Sequence, residues 1–266
     1  MTRARRPRLG LLGVGFAVLL AASGPGARGQ APPSADTDEQ RIADLVLANH
    51  ILADQGVLDG FGHISVRSVK NPRHFFMARS VAPALVARDD ILEFDENSAP
   101  VDQRGRELYS ERFIHGEILR SRPEVQSVVH SHSPAVLPFS VTEAPLKALI
   151  HVAYFLGTQP APVFEIRDAD GEDNAMLVNT ARSGAALART LGDRRVVLLR
   201  GHGMAVAGGS IREAVFEAIY TQVNAQIELE ALKLGPPKFL NRFEVRRTER
   251  IGRQWELWAA RAEARR

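Results

Sequence analysis

In Ser127-Val128-Val129-His130-Ser131-His132-Ser133 a short apolar run ends in two histidines separated by one serine. Read as a strand, the run turns alternate side chains to opposite faces, so His130 and His132 project together. Their Cβ atoms then stand about 6–7 Å apart, close enough for two ring nitrogens to share a cation. A third ligand has to come from another segment. The candidate is His202 in Leu199-Arg200-Gly201-His202-Gly203, delivered by the apolar residues 196–199. Cysteine is absent, so a disulfide framework is excluded and any metal site is built from His, Asp and Glu.

The rest of the chain reads as short strands alternating with helices. Thr37 and Gln40 resemble a capping box for a helix whose apolar positions Ile42, Leu45, Val46, Ile51 and Leu52 recur until Gly56. A glycine turn, Gly60-Phe61-Gly62, enters a strand from His63 to Arg67. Asn71-Pro72 turns into a second strand over residues 74–79, and Asp89-Asp90 feeds a third over residues 91–94. Ser110 is the expected N-cap of a helix over residues 111–120 that stops before Pro123. Residues 134–178 read as loop and short elements around a cleft. Asn179 is the expected cap of a helix to Leu191, closed by Gly192. Ser210 and Glu213 form a second capping box, before a long helix that Gly235-Pro236 ends. Ile251, Trp255, Trp258 and Ala262 make one stripe of a last helix, which reads as core or subunit contact. This alternation predicts one layered α/β domain with a mixed sheet covered by helices.

The chain has 266 residues and a formal charge of +3, but the basicity is local. Residues 1–31 hold Arg3, Arg5, Arg6, Arg8 and Arg28 and no acid, so without them the charge falls from +3 to −2. No later Lys/Arg cluster with interleaved aromatics occurs, which argues against a nucleic-acid partner. Residues 1–31 have the basic start, apolar run and small-residue end of a secretory signal peptide. The run is short for a membrane span; an uncleaved N-terminal anchor is the alternative. Arg5-Arg6 hints at the twin-arginine route. The expectation is an exported protein, periplasmic or secreted, with a linker at residues 32–37.

Three neutral imidazoles suit a divalent metal with an open position, the catalytic rather than the structural arrangement. Such a cation polarises a carbonyl and stabilises a developing enediolate or carbanion. A proton shuttle is needed beside it, and Glu111, at the start of the helix before the histidine strand, is the natural one. The competing reading of Glu111 is a first-turn acid complementing the helix dipole. His115, one turn on, reads either as a group orienting Glu111 or as a surface residue. His50 and His74 read as structural, while His151 and Tyr154 are candidates to line the pocket or that of a neighbouring subunit.

Tyr109-Ser110-Glu111, His130-Ser131-His132, residues 197–203 and Gly62-His63-Ile64-Ser65 together resemble the class II aldolase/adducin family over residues 38–240. The resemblance implies a three-layer α/β/α fold, homotetramers, and a divalent ion held by His130, His132 and His202. Zinc leads, with manganese, cobalt or iron as alternatives. It also implies Glu111 as catalytic acid/base. Residues 241–266 fall outside it, as a helical extension packing on the domain or on a neighbouring subunit.

Sugar-phosphate aldolases of that family carry asparagine at the place of His63. They have a Thr-Gly loop where this chain has Arg79-Ser80-Val81-Ala82, and two serines where it has Tyr109-Ser110. Those residues hold the phosphate, so a phosphorylated substrate is not expected here. The Gly-His-Ile-Ser variant resembles a branch containing aromatic-acid decarboxylases. His63, Arg79, Ser110 and Tyr154 are then the candidate substrate contacts, with Arg79 holding a carboxylate bidentately. The implied activity is a metal-dependent carbon–carbon lyase, aldolase or decarboxylase. The alternatives are a mononuclear iron oxygenase on the same scaffold and a non-catalytic adducin-like binding protein.

Overall fold

A computed structural model describes residues 36–246 and 251–265. The expected leader lies outside the described residues, as does the linker except for Asp36 and Thr37. The elements are α1 (Asp38–Asp54), β1 (His63–Arg67), β2 (Phe75–Ala78), β3 (Ile91–Phe94), α2 (Arg112–Ser121), β4 (Ser127–Ser131) and the single turn α3 (Leu137–Ser140). After a 3-10 segment (His151–Leu156) come β5 (Val163–Phe164), the single turn α4 (Arg167–Asp170), α5 (Ala181–Leu191), β6 (Val196–Leu199), β7 (Gly203–Gly208), α6 (Ile211–Leu234) and α7 (Gly252–Ala264).

The strands form one sheet in the order β3-β2-β1-β4-β7-β6-β5. Neighbours run antiparallel except β5 and β6, so the sheet is mixed. Alternation along each strand feeds two cores, which is what makes the fold three-layered. Val129, Leu198, Met204 and Val206 pack under α1, α6 and α7. Val128, Val197, Leu199 and Ala205 face the other way, onto α2 and α5. His63 and Ser65 of β1 share the α2 face with His130, because His63 pairs with His130 and Ser65 with Val128. The final helix packs on α1 and α6: Trp258 stands 6.4 Å from the Phe216 ring and 6.0 Å from that of Tyr220. Among the described residues no helix is long and apolar enough to cross a membrane.

The sheet brings the histidines together through one hairpin. β6 leaves at Leu199 and turns through Gly201, whose φ of 63° is left-handed. β7 then starts at Gly203 beside the end of β4, where Ser131 pairs with Met204. A Cβ on Gly203 would meet the Ser131 carbonyl oxygen at 2.1 Å, so only glycine lets the hairpin close against β4. Gly203→Ala is expected to lower stability by about 1–3 kcal/mol and to loosen metal binding by parting His202 from His132. Urea midpoints and metal stoichiometry check both effects.

Three local expectations are corrected. Ser110 does not cap α2; Glu111 occupies the cap position, with no side-chain cap bond, because its carboxylate is turned to the histidines. Thr180 rather than Asn179 caps α5, accepting from the Ser183 N–H. The strand β7 was absent from the pattern because residues 203–208 are Gly-Met-Ala-Val-Ala-Gly, poor in strand-forming side chains. At the strand's end α6 requires a glycine: a Cβ on Gly208 would stand 2.5 Å from the Ala214 nitrogen.

Candidate metal centre and its cleft

Glu111, His130, His132 and His202 present one ligand atom each, all within 4.8 Å of one another, a group that could hold a metal ion. Nε2 of His132 lies 3.2 Å from Nε2 of His130 and 3.1 Å from Nε2 of His202. Oε2 of Glu111 lies 3.5 Å from Nε2 of His130 and 3.4 Å from that of His202. Ligands 2.0–2.1 Å from a tetrahedral metal stand about 3.3–3.4 Å apart, and these four spacings are close to that.

The outer bonds of the rings fix what faces inward. Nδ1 of His130 meets the Met204 carbonyl at 3.0 Å, and Nδ1 of His202 meets the Met176 carbonyl at 2.7 Å. A carbonyl only accepts, so each Nδ1 carries the proton and each Nε2 offers a lone pair. Nδ1 of His132 faces Asp59 Oδ2 at 3.5 Å, with the same polarity. Three lone pairs and a carboxylate thus converge on one point, an arrangement that repels itself unless a cation sits there. Met176 holds its carbonyl in place from a left-handed backbone, φ 59°, a conformation a non-glycine residue adopts at a cost.

Glu111 accepts from the Val178 N–H at 2.9 Å. Burial opposes its charge, but His130 and His202 outweigh burial and hold the carboxyl well below the usual carboxylate range. Burial likewise opposes charge on His202, where the Glu111 carboxylate prevails and raises the ring's pKa. His132 is lowered by burial and by its two neighbouring imidazoles.

Beside the cluster lies a cavity of about 570 Å³, whose lining includes His63, Tyr109, Ser110, Glu111, His132 and His202. Phe61, Val81, Leu108 and Leu177 supply apolar walls, and neither lysine nor arginine of the described residues lines it. Arg79 is not in this lining; its Nε donates to Asp90 Oδ1 at 2.6 Å. Tyr154 is elsewhere too, packed on the apolar core with its ring 5.8 Å from that of Phe155. A second cavity, about 540 Å³, is lined by Arg41, Arg67, Arg73 and Arg120. The Arg67 guanidinium there is taken up by the carbonyls of Val125, Leu119 and Arg122.

His115 is not on the surface and does not orient Glu111. It is wholly buried, with Nε2 at 2.7 Å from Nδ1 of His63 and Nδ1 at 2.7 Å from Ser65 Oγ. His63, whose Nδ1 is engaged by His115, leaves its Nε2 as the nitrogen available to a partner, and the residue is part of the cavity lining. Burial, then the charge of His130, push His115 down to about 3; an unfolded histidine titrates near 6.5. Between those values the unfolded chain binds more protons, so stability falls as pH falls from about 6.5 towards 3, by at most about 1.4 kcal/mol per pH unit for this group. His115→Gln should therefore lose less stability than the native chain between pH 7 and pH 5, read as urea midpoints. His50 bonds the Val86 carbonyl and His74 the Glu93 carboxylate, both away from the cleft.

Asp59 is the site residue the motif reading passed over. Its Oδ1 accepts from the N–H groups of Phe61 (2.9 Å) and Gly62 (3.1 Å), while Oδ2 faces His132. An acid just before Gly-Phe-Gly is the signature of an Asx turn, the one signal that could have found it.

The profile for the "Class II Aldolase and Adducin N-terminal domain" matches residues 43–229, and the chain belongs to the class II aldolase and adducin family. It is similar to the decarboxylase tropJ of Talaromyces stipitatus, 38% identical over 250 residues covering 84% of this chain and 94% of that protein. It is also similar to a 3,4-dihydroxyphthalate decarboxylase of Arthrobacter keyseri, 31% identical over 205 residues covering 72% of this chain and 78% of that protein. Among solved structures, an L-fuculose 1-phosphate aldolase from Glaciozyma antarctica shares the fold, with a TM-score of 0.71 at 23% identity over 88% of this chain and 94% of that one. Decarboxylase and aldolase relatives support an enzyme of the lyase type.

Proposed function

We propose that this chain is a metal-dependent decarboxylase of a small, non-phosphorylated carboxylic acid bearing a hydroxyl or keto oxygen or an aromatic ring. The observation that carries the reading is the convergence of three Nε2 lone pairs and the Glu111 carboxylate beneath a cavity that the described residues line without lysine or arginine. Among the described residues a phosphate would find no guanidinium or ammonium partner there. A carboxylate beside a hydroxyl suits a site whose positive charge comes from a bound ion.

His130, His132 and His202 would hold that ion, zinc by their donor set. When bound, it supplies Lewis acidity to the substrate oxygens it meets. Glu111, ionised in the resting site, takes the substrate's hydroxyl proton as base. It returns that proton to the carbon left with the bonding pair as carbon dioxide departs. One further proton from solvent completes the balance. His63 Nε2, fixed from behind by His115, hydrogen-bonds a substrate oxygen, while Phe61, Leu108 and Leu177 keep water from the reacting carbon. Export through the leader and assembly as a homotetramer belong to the same reading; N-terminal sequencing of the mature protein and sedimentation test them.

The test is a product screen of the metal-loaded protein on dihydroxybenzoates, keto acids, hydroxyaldehydes and phosphosugars, with oxygen uptake recorded. Release of carbon dioxide without oxygen uptake supports the proposal. Turnover confined to phosphosugars, or turnover that consumes oxygen, overturns it.

A further inference from the structure

Phe61 is 73% exposed, yet its backbone is tied into a hydrogen-bonded turn. Asp59 Oδ1 takes the N–H groups of Phe61 and Gly62. Gly62 is pressed into place on the strand bearing the metal ligands: a Cβ there would meet Leu58 Cδ2 at 2.6 Å and the His130 carbonyl oxygen at 3.1 Å. A single exposed apolar ring is ordinary on a protein surface; what marks this one is its place in the cleft. It lines the same cavity as the cluster, and its centroid is 6.5 Å from that of His132. Other lining rings are those of Tyr109 and His63, themselves packed at 4.5 Å.

We propose that Phe61 is a specificity-determining side chain that stacks on a planar aromatic acid in the cleft, with Asp59 the positioning residue that holds the ring there. This narrows the decarboxylase reading to aromatic substrates and rests on that reading. One carboxylate serves two parts of the site. Oδ1 fixes the turn carrying the substrate-facing ring, and Oδ2 faces Nδ1 of His132 at 3.5 Å. A displaced turn therefore disturbs substrate and metal ligand together. An edge-to-face or offset contact between rings prefers centroids about 4.5–7 Å apart, which a ring set about 3 Å or more to the cavity side of the line joining Phe61 and His132, themselves 6.5 Å apart, can meet with both.

The experiment compares two probes on the zinc-loaded protein by calorimetry: 2,3-dihydroxybenzoate, which is flat, and 2-hydroxyisobutyrate, which is not. Phe61→Leu keeps apolar bulk but removes the ring. It should weaken the flat probe about 2- to 10-fold and change the other less than twofold, whereas Phe61→Trp retains or tightens the flat probe. Asp59→Ala, which also strips the oxygen facing His132, should weaken both probes but the flat one about 2- to 10-fold more, so that the ratio of the two affinities falls as it does for Phe61→Leu. Asp59→Asn, whose amide oxygen still accepts both N–H groups, should restore it at equal zinc content. Equal losses for both probes, or none, overturn the proposal. So does a change of oligomeric state on Phe61→Leu with both affinities intact, which would make the ring a contact between copies. Because binding is read without turnover, a split found in a protein that releases no carbon dioxide keeps the stacking and discards the decarboxylase. Turnover without the split does the reverse.

Discussion

Glu111→Gln is expected to lower kcat by about 10²- to 10⁴-fold at saturating metal while leaving the fold intact. The amide keeps the shape of the side chain, and its oxygen still accepts from the Val178 N–H, which Glu111 meets at 2.9 Å. What it loses is the ability to carry a proton between substrate oxygen and carbon. The carboxylate sits within 3.5 Å of two imidazoles, so metal stoichiometry must be measured on the same sample. Full occupancy with lost turnover assigns the defect to proton transfer. Unchanged kcat would reduce Glu111 to a buried structural acid and leave the chemistry without a base.

Stripping the ion should have an equally large effect on a different quantity. Without it, three lone pairs and a carboxylate face one another across 3.1–3.5 Å. A ligand present at a thousand times its dissociation constant adds about 4 kcal/mol to the folded state. For a chain of this size that is about 8–16 °C in Tm. Dialysis against dipicolinate should therefore abolish carbon dioxide release and lower Tm by that order. Readdition of zinc should restore both, with manganese and cobalt as comparisons. Activity that survives complete removal would refute a metal role outright.

Much of this architecture was legible in the residues. The alternation of Val128, Val129 and His130, the Thr37 and Ser210 caps, and the glycine at 203 each encode a local choice the fold keeps. Periodicity could not show β7, because its α2-facing positions are Gly203, Ala205 and Ala207 and its last residue is the Gly208 that α6 presses on. Nor could it show that α2 begins with an acid serving the site instead of the helix, since an entry at Ser110-Glu111 looks the same either way. Arg79 and His115 illustrate the remaining limit. An arginine at a strand end and a histidine one turn past an acid have no unique partner in one dimension. Only the sheet order brings Asp90 to the first, and Ser65 and His63 to the second.

X-ray absorption at the edge of the metal carried by the purified protein bears most directly on the three-imidazole centre. One metal per chain is expected, with the multiple-scattering signature of three imidazoles at about 2.0–2.1 Å and at least one further oxygen ligand, and His202→Ala should remove one imidazole from the fit. A protein that retains full activity with no metal bound, or a metal whose shell holds no imidazole, would contradict it.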